Sequence, residues 1–135
     1  MKSLKRDLPI LEQVMSKPIN DVLDKSDEIE LIVTGRISGK EIPRPVWFVN
    51  EDDLLYLLPV QGSNTNWYKN VQKNPHVKIS TRGQQIITGK VKAITDTDKV
   101  KEVIEKFRSK YGVSDVKKYY TKFDVYVELL LNQPA

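Results

Sequence analysis

Apolar and polar residues alternate along much of the chain, and a period of two residues is typical of β-strands with one buried face. The alternation begins at Ile29, Leu31 and Val33, which predicts a first strand. β-Branched, aromatic and leucine-rich runs between turn residues predict five more. The six predicted strands cover residues 29–34, 45–49, 54–58, 77–81, 85–94 and 123–131.

Apolar residues at helical spacing occur in the remaining segments. The clearest helix starts at the capping residues 95–98, carries Val100, Val103 and Phe107 on one face, and ends at Gly112. A cluster of cap and turn residues at 61–66 predicts a second helix, which Pro75 would end. The pattern therefore predicts about three helices, with candidate segments at residues 9–15, 67–73, 99–111 and 113–120.

The 135 residues are enough for one domain with one hydrophobic core. We therefore treat residues 1–135 as a single domain, with residues 1–27 as an N-terminal helix and loop. Six short antiparallel strands leave fewest exposed edges when the sheet closes on itself. The predicted fold is mainly β (α+β), a six-stranded antiparallel split β-barrel with about three helices.

Composition excludes several classes of chemistry. The absence of cysteine excludes disulfides, iron–sulfur ligation and thiol nucleophiles, and the single histidine, His76, is a poor basis for a metal site or a catalytic triad. No apolar run is long enough to cross a bilayer and no secretory signal is present at residues 1–7, so we expect a cytoplasmic protein that does not enter membranes.

The net charge is +4, from 22 basic and 18 acidic residues that are mixed along the chain. This excess suits a small phosphorylated ligand, whereas a nucleic-acid surface, which calls for clustered basic residues, is disfavoured.

The sequence lacks the motifs of protein-based catalysis, such as a nucleophile elbow, a phosphate loop or a dinucleotide fingerprint. We therefore predict no catalytic residue and no metal site. If the protein is an enzyme, a bound organic cofactor would carry the reaction while the fold positions it.

Two separated segments could together hold a phosphate group. The glycine-containing turn at residues 34–40 offers backbone N–H groups, with Arg36, Lys40 and Arg44 adding positive charge, and the helix start at 64–67 offers further N–H groups. The structural alternative is that the cations form a solvated turn and that Asn64 to Asn66 only cap a helix.

The pairing of Thr-Gly-Arg-x-Ser-Gly at residues 34–39 with Trp-Tyr-x-Asn at 67–70 and Asn-Pro at 74–75 resembles the deazaflavin-dependent nitroreductase family. That family belongs to the pyridoxamine phosphate oxidase-like flavin-binding split barrels. The resemblance covers residues 28–95 and implies a homodimer that binds FMN or the deazaflavin coenzyme F420. It also implies hydride transfer to or from a small conjugated acceptor, such as a nitroaromatic or a quinone.

Carried over position by position, the resemblance implies a cofactor-binding set in the turn, the following strand and the helix. The matching residues are Arg36, Ser38, Gly39, Pro45, Val46, Trp47, Asn66, Trp67, Tyr68 and Asn70. Isoleucines stand at positions 37 and 42, where the family commonly has basic phosphate partners, and Lys40 and Arg44 are the nearby substitutes. If they do not compensate, FMN is favoured over the deazaflavin with its long acidic tail.

Other interpretations of these residues stay open. Trp67 could instead anchor the helix in the core, and Tyr111, Tyr119 and Tyr120 could line the substrate side of the site or pack the helices onto the barrel. The protein could also be a non-catalytic flavin or haem carrier or sensor, for which His76 would be the haem ligand, or a basic nucleic-acid-binding barrel.

Overall fold

The computed structural model describes residues 22–81 and 86–131. The predicted helix at residues 9–15 lies outside this part. Residues 22–24 are helical, and they are followed in the described part by three α-helices, one 3-10 helix and seven β-strands. The strands are β1 (Ile29–Thr34), β2 (Glu41–Val46), β3 (Phe48–Glu51), β4 (Leu54–Leu57), β5 (His76–Ser80), β6 (Ile86–Ile94) and β7 (Tyr126–Leu130). The helices are the 3-10 helix Gly62–Asn64 and the α-helices α1 (Asn66–Lys73), α2 (Thr97–Tyr111) and α3 (Val113–Tyr119).

The prediction of six strands was wrong by one, because the second predicted strand, residues 45–49, is two strands. β2 begins four residues earlier, at Glu41, and ends at Val46, while β3 begins at Phe48. Trp47 separates them, since β2 pairs with β1 whereas β3 pairs with β4. The break is invisible in the sequence because residues on both sides of Trp47 are equally suited to extended backbone.

The six strand pairings within residues 22–81 and 86–131 are all antiparallel, in the order β2-β1-β5-β6-β7-β4-β3. Strand β6 joins two half-sheets, because residues 86–90 pair with β5 and residues 91–94 pair with β7. The two edge strands, β2 and β3, are separated in sequence by Trp47 alone, so their ends lie within about 7 Å at that corner. The sheet therefore curls back on itself as a half-barrel instead of closing through a β2–β3 ladder.

The concave side of the sheet holds the larger core. Ile29, Leu31 and Val33 of β1 face it together with the alternate residues of the other strands, and α1 covers it with Trp67, Tyr68 and Val71. A second core lies on the convex side, where α2 packs Val103, Ile104 and Phe107 onto Tyr56 and Tyr126. The concave side is thus covered by α1, whereas α2 and α3, which contributes Val116, cover the convex side at Tyr56 and Tyr126.

The helix signals in the sequence hold where the structure describes them. Asp96 caps α2 by accepting a hydrogen bond from the Lys99 N–H at 3.1 Å, and the helix ends at Gly112, whose φ is 99°. No helix in residues 22–81 and 86–131 is both long and apolar enough to span a membrane.

Candidate functional site

A cleft of about 600 Å³ opens at the corner where β2 passes into β3. Five segments form it: the residue before β1, the end of β2 with Trp47, the loop after β4, the start of α1, and the end of α3. The lining residues are Glu28, Arg44, Pro45, Val46, Trp47, Leu58, Val60, Gln61, Thr65, Asn66, Trp67, Tyr119 and Tyr120. Most of this lining is aromatic or aliphatic, which is typical of a site for a flat organic ligand.

Trp47 is held in place by three tyrosines. Its ring stacks in parallel on Tyr111 with centroids 4.2 Å apart and planes 5° apart. Tyr119 meets it edge-on at 5.5 Å, and Tyr120 lies tilted at 6.0 Å. These are favourable aromatic geometries, so the indole at the cleft wall has a fixed orientation.

The hydroxyl group of Tyr111 binds the backbone at the strand break. It accepts a hydrogen bond from the Phe48 N–H at 3.0 Å, and the carbonyl oxygens of Phe48 and Asp27 both lie 2.8 Å from it as acceptors. Burial raises the pKa of Tyr111 to about 12, so the phenol stays neutral and able to donate. Tyr111 therefore has a packing and positioning role behind the cleft, whereas Tyr119 and Tyr120 line it.

The two charges in the described lining of the cleft are Arg44 and Glu28. Arg44 is exposed, its Nη1 donates to the Pro43 carbonyl at 3.1 Å, and it has no carboxylate partner among the described residues. The guanidinium keeps most of its donors for a ligand. The cleft also contains Thr65 and Asn66 at the start of α1, and the Thr65 side chain does not cap the helix. N–H groups of the first helical turn are therefore left for water or a ligand.

The turn between β1 and β2 holds four of the predicted site residues, Arg36, Ser38, Gly39 and Lys40, outside the lining of this cleft. The Arg36 N–H and Nη1 both donate to Oδ1 of Asn70, at 3.1 and 2.8 Å, and Nη1 also contacts the Asn66 carbonyl at 3.4 Å. Ser38 Oγ accepts a hydrogen bond from the Lys40 N–H at 3.2 Å. Arg36 and Asn70 thus tie the turn to α1.

The isoleucines at positions 37 and 42 and their basic substitutes, Lys40 and Arg44, lie in different surroundings. Ile37 is 92% exposed at the tip of the turn, whereas Ile42 packs against the concave core. Lys40 has no ion pair among the described residues and lies in the turn directly before β2, four positions before Arg44. Arg44 is in the cleft, and Lys40 lies beyond it.

The remaining predicted residues divide between cleft and core. Pro45, Val46, Trp47, Asn66 and Trp67 line the cleft, so Trp67 is both a core anchor and a wall residue. Tyr68 and Asn70 are buried away from it. Burial, with a contribution from the Asp124 carboxylate, raises the pKa of Tyr68.

Several lining residues carry no motif of their own. Glu28, Leu58, Val60, Gln61 and Thr65 enter the site because the fold brings their segments together. The cap-rich stretch at 61–66 was the one available signal, since it predicted the helix start that lies in the cleft.

His76 is on a different surface. It lines a separate hollow of about 540 Å³ on the convex face of β1, β5 and β6, together with Lys78 and Lys90. Lys78 forms an ion pair with Glu41 at 2.5 Å. The described residues contain no group of three histidine, cysteine, aspartate or glutamate side chains that could hold a metal ion.

Solved structures share this curled antiparallel half-barrel, which defines the fold class of the chain. A candidate 5-nitroimidazole antibiotic resistance protein from Bacteroides thetaiotaomicron superimposes with a TM-score of 0.66 and 18% identity, over 87% of this chain and 80% of that one. An F420-H2 dependent reductase gives a TM-score of 0.60 and 17% identity, over 76% and 93% of the two chains. A candidate pyridoxamine 5'-phosphate oxidase from Listeria innocua gives 0.64 and 15% identity, over 88% and 99%.

Within this class, the chain belongs to the family described as "Uncharacterized protein conserved in bacteria (DUF2255)", which matches residues 21–125. No curated protein matches the sequence. These structures support the resemblance to split-barrel proteins for the fold. Their sequence identities of 15–18% are too low to show membership of the nitroreductase family.

Proposed function

We propose that this protein binds a flavin-type cofactor in the cleft beside Trp47 and acts as an oxidoreductase on small conjugated acceptors. The observation that carries the proposal is one juxtaposition: Arg44, the uncapped start of α1 and the aromatic wall around Trp47 all line a single cleft. A flat ring with a phosphate tail needs an apolar slot next to an anion site. The names of the F420-H2 dependent reductase and of the candidate pyridoxamine 5'-phosphate oxidase agree with this ligand class.

The residues of the cleft fit the two ends of such a cofactor. Trp47, Trp67 and Tyr119 offer apolar surface to a ring, while the backbone at Pro45 and Val46 offers polar groups to its edge. Arg44 would hold the phosphate by directed, charge-assisted hydrogen bonds, supported by the N–H groups at Asn66.

When bound, the reduced flavin ring supplies a hydride for a two-electron reduction. The cleft itself supplies orientation. Tyr120 is a poorer acid than a free phenol, because burial raises its pKa above the ordinary value of 10.0. Glu28 is exposed at the edge of the lining. We therefore assign no catalytic acid or base to the chain, and solvent delivers the one proton that accompanies the hydride.

The charge count favours FMN over the deazaflavin. Arg44 is the one cation in the described lining, and one arginine suits one phosphate. A longer acidic tail would have to continue along the strand to Lys40, which has no competing acid partner among the described residues. The two cofactors therefore differ in whether Lys40 takes part.

We further propose that a second copy of the chain completes the cleft. Two apolar lining residues remain exposed at its mouth, Val60 at 40% and Tyr119 at 52%. Burial of such side chains against a partner is favourable and would shield a bound ring from water.

The proposal is tested by offering FMN and the deazaflavin separately to the purified protein and measuring binding to the wild type and to Lys40→Gln. We expect FMN to bind and Lys40→Gln to leave its affinity unchanged. Tighter binding of the deazaflavin, with loss on Lys40→Gln, would assign the longer cofactor instead. If neither cofactor binds at micromolar concentration, the proposal is wrong. Haem binding would then indicate a carrier or sensor, and salt-sensitive binding of oligonucleotides would indicate a nucleic-acid-binding barrel.

A further inference from the structure

Asp124 lies outside the lining of the cleft but binds the loop that forms one of its walls. Its Oδ1 accepts a hydrogen bond from the Ser63 N–H at 2.9 Å, and its Oδ2 accepts one from Ser63 Oγ at 2.6 Å. The carboxylate thus uses both oxygens on one residue, a two-point contact that fixes orientation as well as distance.

Gly62 is required for this contact. Its φ is 55°, in the region that favours glycine, and a Cβ on it would lie 2.2 Å from Oδ1 of Asp124. The Gly62-Ser63 pair therefore brings the loop backbone against the carboxylate in a way that another residue at position 62 would prevent.

Further contacts join the same two segments. The Thr121 N–H donates to the Val60 carbonyl at 2.8 Å, and Gln61 forms a parallel bridge with Lys122. Gln61 is held from the other side too, because its N–H donates to Thr65 Oγ1 at 2.8 Å. The loop at residues 60–65 and the segment at 121–124 therefore form one connected unit.

This unit supplies two parts of the cleft lining. Val60, Gln61 and Thr65 belong to the loop, and Tyr119 and Tyr120 directly precede the 121–124 segment. The relative position of these two parts depends on how the loop is fastened to the segment.

We infer that Asp124 is a positioning residue that sets the width of the cleft by holding Ser63, and so prepares the cleft for a flat ligand. The inference rests on the proposed function for the identity of that ligand. Packing alone would leave the polar loop, which has few apolar side chains, free to shift, and the carboxylate removes that freedom.

The electrostatics are consistent with a permanently charged carboxylate. Burial alone would raise the pKa of Asp124, but the hydrogen bonds from Ser63 and the nearby Lys122 ammonium outweigh it and lower the pKa below 3.8. Both hydrogen bonds from Ser63 to the Asp124 carboxylate are therefore present at neutral pH.

The test compares Asp124→Asn, Ser63→Ala and Ser63→Thr with Lys122→Gln, which removes the 3.6 Å ion pair to Asp124 but leaves both Ser63 hydrogen bonds. Two properties are measured: the Kd for FMN, and the near-ultraviolet circular dichroism of the ligand-free protein, which reports the packing of Trp47, Tyr119 and Tyr120. We expect Asp124→Asn and Ser63→Ala to weaken FMN binding about tenfold and to change the aromatic signal. Ser63→Thr and Lys122→Gln should match the wild type.

An unchanged aromatic signal in folded Asp124→Asn overturns the inference, whatever the flavin result. So does a loss in Lys122→Gln as large as that in Asp124→Asn. If the wild type binds no flavin, the proposed function fails separately, and the ligand-free comparison still decides whether Asp124 positions the cleft.

Discussion

Trp47 and Tyr111 are stacked in parallel at 4.2 Å although 64 positions separate them in the chain, and this contact links the strand break to the end of α2. The indole faces the cleft on one side of the contact, and the phenol hydroxyl binds the backbone of Phe48 on the other. Tyr111, at the end of α2, therefore contacts both the Trp47 wall of the cleft and the backbone at the break between β2 and β3.

Removing the hydroxyl of Tyr111 should therefore destabilise the strand break without removing the stack. We expect Tyr111→Phe to lower the free energy of unfolding by about 1 kcal/mol, because the buried Phe48 N–H loses its partner. Tyr111→Leu should cost more, since it also loses the aromatic contact, worth about 1 kcal/mol. Urea unfolding measures both. Tyr119→Phe, at an exposed hydroxyl, is the matched control, and equal effects of Tyr119→Phe and Tyr111→Phe would contradict the assigned role.

The Arg36 contact should be structural. Arg36→Gln removes the guanidinium that binds Asn70 and should lower the free energy of unfolding by about 1 kcal/mol, while FMN affinity changes less than twofold. Asn70→Ala should destabilise in the same direction because it leaves the Arg36 N–H without its acceptor. A large loss of FMN affinity in Arg36→Gln, with stability unchanged, would place the phosphate at the turn instead of at Arg44.

Gly62 and Gly39 allow a matched comparison of how much an added side chain lowers the free energy of unfolding. Both have positive φ, 55° and 71°, but a Cβ meets Asp124 at position 62 and nothing within 4 Å at position 39. Gly39→Ala should cost about 1 kcal/mol from backbone strain alone. Gly62→Ala should cost at least about 1 kcal/mol more, because the Ser63–Asp124 contact must also open. Equal losses in thermal or urea unfolding would show that the contact contributes nothing.

Stability should depend on Asp124 at low pH. Because its folded pKa is depressed, the carboxylate contributes stability that is fully present above the ordinary value of 3.8 and is lost as the pH falls through the lower folded value. The groups facing it are Ser63, the Lys122 ammonium and the buried Tyr68 phenol, whose pKa burial raises. Between pH 5 and about pH 2, the wild type should therefore lose more stability than Asp124→Asn. Parallel curves for the two proteins would exclude this contribution.

The sequence was sufficient to predict the strands and helices whose residue pattern is local. Alternation at Ile29, Leu31 and Val33 predicted β1 correctly, and the capping residues around Asp96 predicted the start of α2. It was insufficient at Trp47, because the residue that contacts the break, Tyr111, is 64 positions away and no local pattern connects the two.

The same distinction applies to the candidate site. The motif residues from Arg44 to Trp47, with Asn66 and Trp67, converge on the cleft, since a short strand segment and a helix start carry them. Arg36 does not, because Asn70 holds it against α1. Tyr119 and Val60 line the cleft through the packing of distant segments, which only the fold reveals.

Under the proposed function, Arg44 holds the phosphate of a flavin whose ring lies in the cleft beside Trp47. A fluorescence titration with FMN measures this role by comparing the wild type with Arg44→Gln and with Lys101→Gln, an exposed lysine on α2 that is outside the cleft. We predict saturable binding to the wild type, a Kd between about tenfold and a hundredfold weaker in Arg44→Gln, and no change in Lys101→Gln. Equal affinity of the wild type and a folded Arg44→Gln protein, or no binding to any of the three, would contradict the account.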